Sequence, residues 1–149
     1  MKNNYLSLLI LILIANFISS KTLGSEQFNF NVSEIEILEN GNIIKGTKKG
    51  IVSSNDGIEI EANTFQYNKL KNILQAFGDV KVIDKKKQLE IYTDKLTYLK
   101  NIEKIFTKNN SKAIYKKNIF IDANDFEYTK STNILKAIKN VKVKDKIQN

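Results

Sequence analysis

Apolar and polar residues alternate along this chain with a period of two, and the alternation breaks and restarts at regular intervals. In Ile58-Glu59-Ile60-Glu61-Ala62 every second residue is apolar, and after Asn63 the pattern resumes with Phe65 and Tyr67. Strict alternation predicts half-buried β-strands rather than helices. The step of three from Ala62 to Phe65 would turn side chains to the wrong face of a straight strand, so a bend or bulge is predicted at Asn63. A second alternating run follows, from Ile73, Leu74 and Ala76 to Val80 and Val82.

The whole pattern recurs. Setting Gly57–Gln88 against Asn118–Asn149 without a gap pairs identical residues at about half of the positions, among them Ile58 with Ile119, Ile60 with Ile121, Asn63 with Asn124, Phe65 with Phe126, Tyr67 with Tyr128, and Val80 with Val141. Weaker copies hold Leu89, Ile91, Thr93, Asp94, Leu96 and Tyr98, and, earlier, Phe28, Phe30, Val32, Ser33, Ile35 and Ile37. The phase slips at Ser33, Asn63, Asp94 and Asn124, all short polar residues able to hydrogen-bond nearby backbone, so each unit is expected to turn a corner there. The chain therefore reads as about four tandem repeats of roughly thirty residues, each giving two or three short strands.

Turns are expected at Asn40-Gly41, Asp56-Gly57 and Gly78-Asp79, because the sequence contains no proline to make them. No repeat shows a convincing 3.6-residue period; Lys95–Lys108 comes nearest, and its tyrosine and threonines fit the strand register better. With 149 residues there is room for one domain, enough to bury an apolar layer but not a thick core.

Charge changes the picture less than its size suggests. The net charge is +8, but every one of the 24 basic residues is lysine, spread through turns and outward strand positions. Nucleic-acid readers favour arginine and clustered basic stripes with stacking aromatics, so no nucleic-acid partner is expected. A solvated, aggregation-resistant surface accounts for most of the lysines, with attraction to anionic lipid as the functional alternative.

At the N-terminus, Lys2 precedes the apolar run Leu6–Ile18, and small residues follow at Ser19, Ser20 and Gly24. That run is shorter than the roughly 20 residues a spanning helix needs and suits a secretory signal peptide over residues 1–20, cleaved after Ser20 or after Gly24. An uncleaved inner-membrane anchor is the competing reading. Without cysteine there is neither a lipoprotein anchor nor a disulfide.

Catalysis has little to work with. The sequence has no histidine and no cysteine, which removes the commonest general base, the thiolate nucleophile and the usual nitrogen and sulfur metal ligands. The carboxylates Glu59, Glu61, Asp84, Asp122, Asp125 and Asp145 are expected at outward or turn positions. The chain is accordingly read as no enzyme, with neither cofactor nor metal.

The unit Ile-x-Ile-x-Ala-Asn-x-Phe-x-Tyr at 58–67 and 119–128, followed by Ile-Leu-x-Ala-x-x-x-Val-x-Val at 73–82 and 134–143, resembles the repeat of the organic-solvent-tolerance (OstA-like) N-terminal domain family of lipopolysaccharide-transport proteins. The resemblance covers residues 26–149. It implies an all-β fold, an open, twisted, V-shaped antiparallel β-jellyroll with an apolar groove between its halves. It further implies periplasmic lipopolysaccharide transport, with outer-membrane association left open. Lipid A acyl chains would be shielded in the groove and passed toward the outer membrane through end-to-end contacts. The implied partners are lipopolysaccharide, other β-jellyroll subunits joined by edge-strand addition, and an outer-membrane translocon.

On that reading Ile58, Ile60, Phe65, Tyr67, Leu74, Val80, Val82, Ile91, Leu96, Tyr98, Ile119, Ile121, Phe126 and Tyr128 line the groove, and Lys69 and Lys130 at its rim meet lipid phosphates. The alternatives are the inner-membrane-anchored subunit of the same pathway and a structural β-solenoid scaffold with a filled core and no lipid.

Overall fold

The computed structural model describes residues 27–146; the expected leader with its cleavage points, and the last three residues, lie outside the described residues. Twelve strands follow one another: β1 (Phe28–Leu38), β2 (Ile43–Ser54), β3 (Ile58–Ala62), β4 (Thr64–Asn68), β5 (Ile73–Asp84), β6 (Leu89–Leu99), β7 (Lys104–Lys108), β8 (Ser111–Tyr115), β9 (Ile119–Ala123), β10 (Asp125–Thr129), β11 (Ile134–Ile138) and β12 (Lys142–Asp145). Apart from these there are single 3₁₀ turns at Glu39–Gly41 and Lys100–Ile102. All strand pairings are antiparallel. The strands expected from the alternation are observed, and they form the all-β antiparallel jellyroll that the family resemblance implies. The segment Lys95–Lys108 is strand, turn and strand, as its side-chain register requires.

The sheet is creased along its middle into two leaves. Leaf 1 consists of residues 28–32 of β1, 50–54 of β2, β3, 80–84 of β5, 89–93 of β6, β8, β9 and β12. Leaf 2 consists of residues 34–38 of β1, 43–47 of β2, β4, 73–77 of β5, 95–99 of β6, β7, β10 and β11. The long strands β1, β2, β5 and β6 run through the crease, whereas β3 and β4, β7 and β8, β9 and β10, and β11 and β12 are divided by it.

The crease falls where the sequence phase slips. Pairing of β1 with β2 shifts register between Val32 and Glu34, and pairing of β5 with β6 shifts between Phe77 and Val80. Asn63 and Asn124 separate β3 from β4 and β9 from β10. Opposite them, pairs of left-handed residues reset the pleat: Lys48 and Lys49, Gly78 and Asp79, Asn109 and Asn110, Lys139 and Asn140. Gly78-Asp79 is thus no hairpin turn, as its composition suggested, but a bulge inside β5. Two left-handed residues within a ladder reverse the face presented without reversing the chain.

Backbone hydrogen bonds run up this crease from Lys49 N to Asn63 O (2.9 Å) and from Asn63 N to Gly78 O (3.0 Å), and again from Asn124 N to Lys139 O (3.0 Å). Side-chain amides add Asn63 Nδ2 to Asp79 Oδ2 (3.1 Å), Asn110 Nδ2 to Asp94 Oδ2 (3.3 Å) and Asn140 Nδ2 to Asn124 Oδ1 (3.1 Å). Short polar residues recur here because they tolerate the backbone and satisfy the groups that the broken ladder leaves free.

Inside the crease Thr93, Thr107 and Ser111 are buried and satisfied among themselves, with Thr107 Oγ1 also accepting the Phe126 N–H at 2.8 Å. Away from the crease the inward positions are apolar and form one cluster spanning both leaves, with Ser54, Asp84 and Lys100 as buried polar exceptions at its margin. At the ends of the fold the cover fails. Among the described residues, strand β1 pairs only with β2, β11 only with β10, and β12 only with β9. Inward-phased Ile35 and Ile37 on β1 are 51% and 62% exposed, and Val143 on β12 is 61% exposed.

Candidate functional site

Alternation places all fourteen expected groove residues on the inner faces of the leaves. Ile58, Ile60, Val80, Val82 and Ile91 come from leaf 1, and Phe65, Tyr67, Leu74, Leu96, Tyr98, Phe126 and Tyr128 from leaf 2; each of these is at most 4% exposed. Ile119 and Ile121, nearer the β12 end, are only partly covered. Leu135, Ala137 and Tyr115 pack beside them against the core. The leaves therefore close on one another through the middle and part toward β11 and β12.

Aromatic rings make that closure. Phe28 of leaf 1 meets Tyr67 and Tyr98 of leaf 2 edge to face, with centroids 4.9 and 5.7 Å apart. Facing sheets stand about 10 Å apart, a gap that such rings fill from one side. Nearer the crease on the same strand, Phe30 continues the stack at 6.4 Å from Phe65.

Away from the crease, the lips of the leaves carry charge. Asp56, in the β2–β3 turn of leaf 1, accepts from the Tyr98 hydroxyl at 2.7 Å and pairs with Lys100 Nζ at 2.8 Å. Lys130 Nζ lies 3.8 Å from the same carboxylate oxygen, and Ser54 Oγ donates to the other. The side chains of Lys100, Asp56 and Lys130 are 7%, 13% and 15% exposed. Further along, the Tyr128 hydroxyl donates to Asp84 Oδ2 at 2.9 Å, and Asp84 also accepts the Lys87 N–H at 3.1 Å. These contacts cross the gap between the leaves and hold the long side of the fold shut.

Their electrostatics follow from burial and partners. Burial alone would raise the Asp56 carboxyl, but the hydrogen bonds from Lys100, Ser54 and Tyr98 and the Lys100 charge outweigh it and hold the group well below the usual carboxylate range. Burial, then the bond to Asp56 and its charge, push the Tyr98 hydroxyl far above its ordinary value. Burial and Asp84 do the same to Tyr128.

One sequence expectation is corrected here, and one residue emerges that the sequence did not point to. Asp84 is not at an outward or exposed turn position; it is 2% exposed and faces Tyr128. Lys100, not singled out in the sequence, is buried at the lip. The signal was present, since Val80, Val82 and Asp84 share one phase, as do Val52, Ser54 and Asp56. Tyr-x-Lys recurs at 67–69, 98–100 and 128–130, which carries each lysine one inward position beyond a buried tyrosine. Of the two rim lysines expected, Lys130 lies in this cluster, whereas Lys69 is exposed.

No family model and no curated protein matches this chain. Among solved structures it is similar to the crystal structure of LptH from Pseudomonas aeruginosa, described as the LptA-homologous periplasmic component of the conserved lipopolysaccharide transport device. The TM-score is 0.70 over 82% of this chain and 95% of that chain, with 12% sequence identity. What the two chains share at that identity is the antiparallel β-jellyroll architecture.

Proposed function

We propose that this protein is a periplasmic, non-enzymatic component of lipopolysaccharide transport that shields lipid A acyl chains between its leaves and passes them to like domains toward the outer membrane. One observation carries the reading: an apolar interior runs through every repeat and loses cover toward both ends, at Ile35 and Ile37 and at Val143, where the end strands have no outer partner among the described residues. The fold it shares with LptH supports the same reading.

Shielding about ten methylenes from water is worth roughly 8 kcal/mol, enough to keep a chain out of the aqueous phase. The lining is the set of fourteen residues named above. Access begins at Ile119 and Ile121, where the leaves are already parted, and proceeds inward as the packed middle separates. Unpaired N–H and C=O groups on β1 at one end, and on β11 and β12 at the other, are templates for strand addition by a neighbouring β-jellyroll subunit or the outer-membrane translocon. A groove of uniform affinity shifts no equilibrium, so direction is supplied by another component.

The test is mass spectrometry of lipid co-purified from a lipopolysaccharide-producing host, where lipid A is the expected passenger. The filled middle of the interior favours a second reading, a β-solenoid scaffold without lipid, and purification free of any lipid would support it. The anchored-subunit alternative depends on residues outside the described range, and the mass of the mature N-terminus separates it.

A further inference from the structure

We propose that Lys100 and Lys130 form an anion site on the lip of leaf 2 that receives a phosphate group of an amphiphile whose acyl part lies between the leaves; this rests on the carrier reading above and deepens it. The observation is the sharing of one carboxylate oxygen by two ammonium groups in a nearly closed place. Two ammonium groups and the Tyr98 hydroxyl converge on a single oxygen of Asp56, at 2.8, 3.8 and 2.7 Å. Burying charge is costly unless each group is closely paired, and here one carboxylate serves two cations, the second of them loosely.

Asp84, the nearest other buried acid, hydrogen-bonds the Tyr128 hydroxyl and the Lys87 N–H, and the ion pairs of Lys100 and Lys130 among the described residues run to Asp56 alone. A phosphate group carries more negative charge than Asp56 and offers three acceptor oxygens, so it can take Lys100, Lys130 and Tyr98 on separate atoms. Lysine suits this role as a mobile point charge.

Asp56 is then the internal counterion that occupies the site while the leaves are closed. It sits in a short turn closed by the Gly57 N–H to Ser54 O bond at 3.0 Å, at the lip and outside the ladder of either leaf. Withdrawal of that turn frees both lysines and removes their bridge between the lips, leaving the Tyr128–Asp84 bridge to separate as the lipid enters. Directly inside lie Tyr98, Tyr128 and the apolar lining, which makes the occupant an amphiphile rather than a free anion. Because Lys69, Lys100 and Lys130 directly follow β4, β6 and β10, strands two spacings apart in leaf 2, lysines recur about every 10 Å along this side of the fold.

The full chain is titrated with bisphosphorylated lipid A and with its dephosphorylated counterpart, each displacing a fluorescent fatty-acyl probe. Wild-type protein is expected to bind the phosphorylated lipid more tightly. Lys130→Gln is expected to weaken that lipid about tenfold while leaving the dephosphorylated one within about twofold, and Lys130→Arg to restore it. The exposed Lys71→Gln serves as the charge control and is expected to change neither.

Equal affinity for the two lipids in wild type, equal losses in Lys130→Gln, or an equal effect of Lys71→Gln would overturn the phosphate site and leave the carrier reading standing. Displacement of the lipid by inorganic phosphate at equal concentration would overturn the amphiphile assignment. Failure of both lipids to displace the probe would overturn both the site and the carrier reading.

Discussion

The hydroxyl of Tyr128, at the end of β10 in leaf 2, donates across the gap to Asp84 at the end of β5 in leaf 1, over 2.9 Å and 44 residues of sequence. Tyr128→Phe removes this bridge and leaves Asp84 with the Lys87 N–H as a remaining donor. The expected loss is about 1–2 kcal/mol in urea unfolding, the range for a buried hydrogen bond to a charged acceptor. An unchanged midpoint would show that the two leaves hold together without it.

The lip cluster sets the pH range of stability. The folded Asp56 carboxyl is held below its ordinary value, so its contribution is complete above the unfolded carboxylate pKa of about 3.9 and is lost as pH falls through that value and toward the folded one. Tyr98 and Tyr128 are held above theirs, so their contribution is complete below about pH 10 and is lost as pH rises beyond it. Denaturant midpoints followed by circular dichroism are expected to form a plateau between these limits. In Asp56→Asn the acid limb should flatten, and a limb as steep as wild type would remove Asp56 as its source.

Two crease glycines should differ in cost. A Cβ at Gly50 would lie 2.6 Å from Asn31 O and 2.7 Å from Val32 Cα, both backbone atoms of the paired strand. Gly78, at φ +73°, would place a Cβ 2.7 Å from Asn63 Nδ2, the mobile end of a side chain. Its counterpart in the last repeat is Lys139 at φ 62°, which shows that the crease accepts a side chain there. Gly78→Ala is expected to cost about 1–2 kcal/mol and Gly50→Ala more, about 2–4 kcal/mol. Thermal melts of the two variants rank them, and the reverse order would contradict the crease geometry.

Truncation should separate the closed middle from the open ends. Ile91 is fully buried, and Ile91→Ala is expected to cost about 2–5 kcal/mol. Ile35, half exposed on β1, should lose no more than about 0.5–1 kcal/mol on truncation to alanine. If end-to-end strand addition covers β1, that small cost should grow when a like domain is bound.

Alternation and its four phase slips were enough to read the strands, the crease at Ser33, Asn63, Asp94 and Asn124, and the inner faces of the repeats, because all of these are set by local backbone geometry and by a period of two. Gly78-Asp79 was misread because glycine and aspartate favour left-handed backbone in bulges and hairpins alike; only the continued pairing of β5 with β6 on both sides distinguishes the two. The Asp56 cluster was hidden for another reason. Its members come from turns of different repeats, and which acid meets which lysine depends on how the leaves close, a tertiary relation that no local pattern carries. Their inward phase could have been read, but not their pairing.

The central claim, that acyl chains travel between the leaves, is tested most directly by photo-cross-linking from adjacent positions of β9 in a cell making lipopolysaccharide. Ile121 faces the interior where the leaves part, and Phe120 faces outward on the same strand. A cross-linker at 121 is expected to capture lipopolysaccharide while one at 120 does not. Equal capture at both positions, or none at 121 in a folded protein, would contradict it.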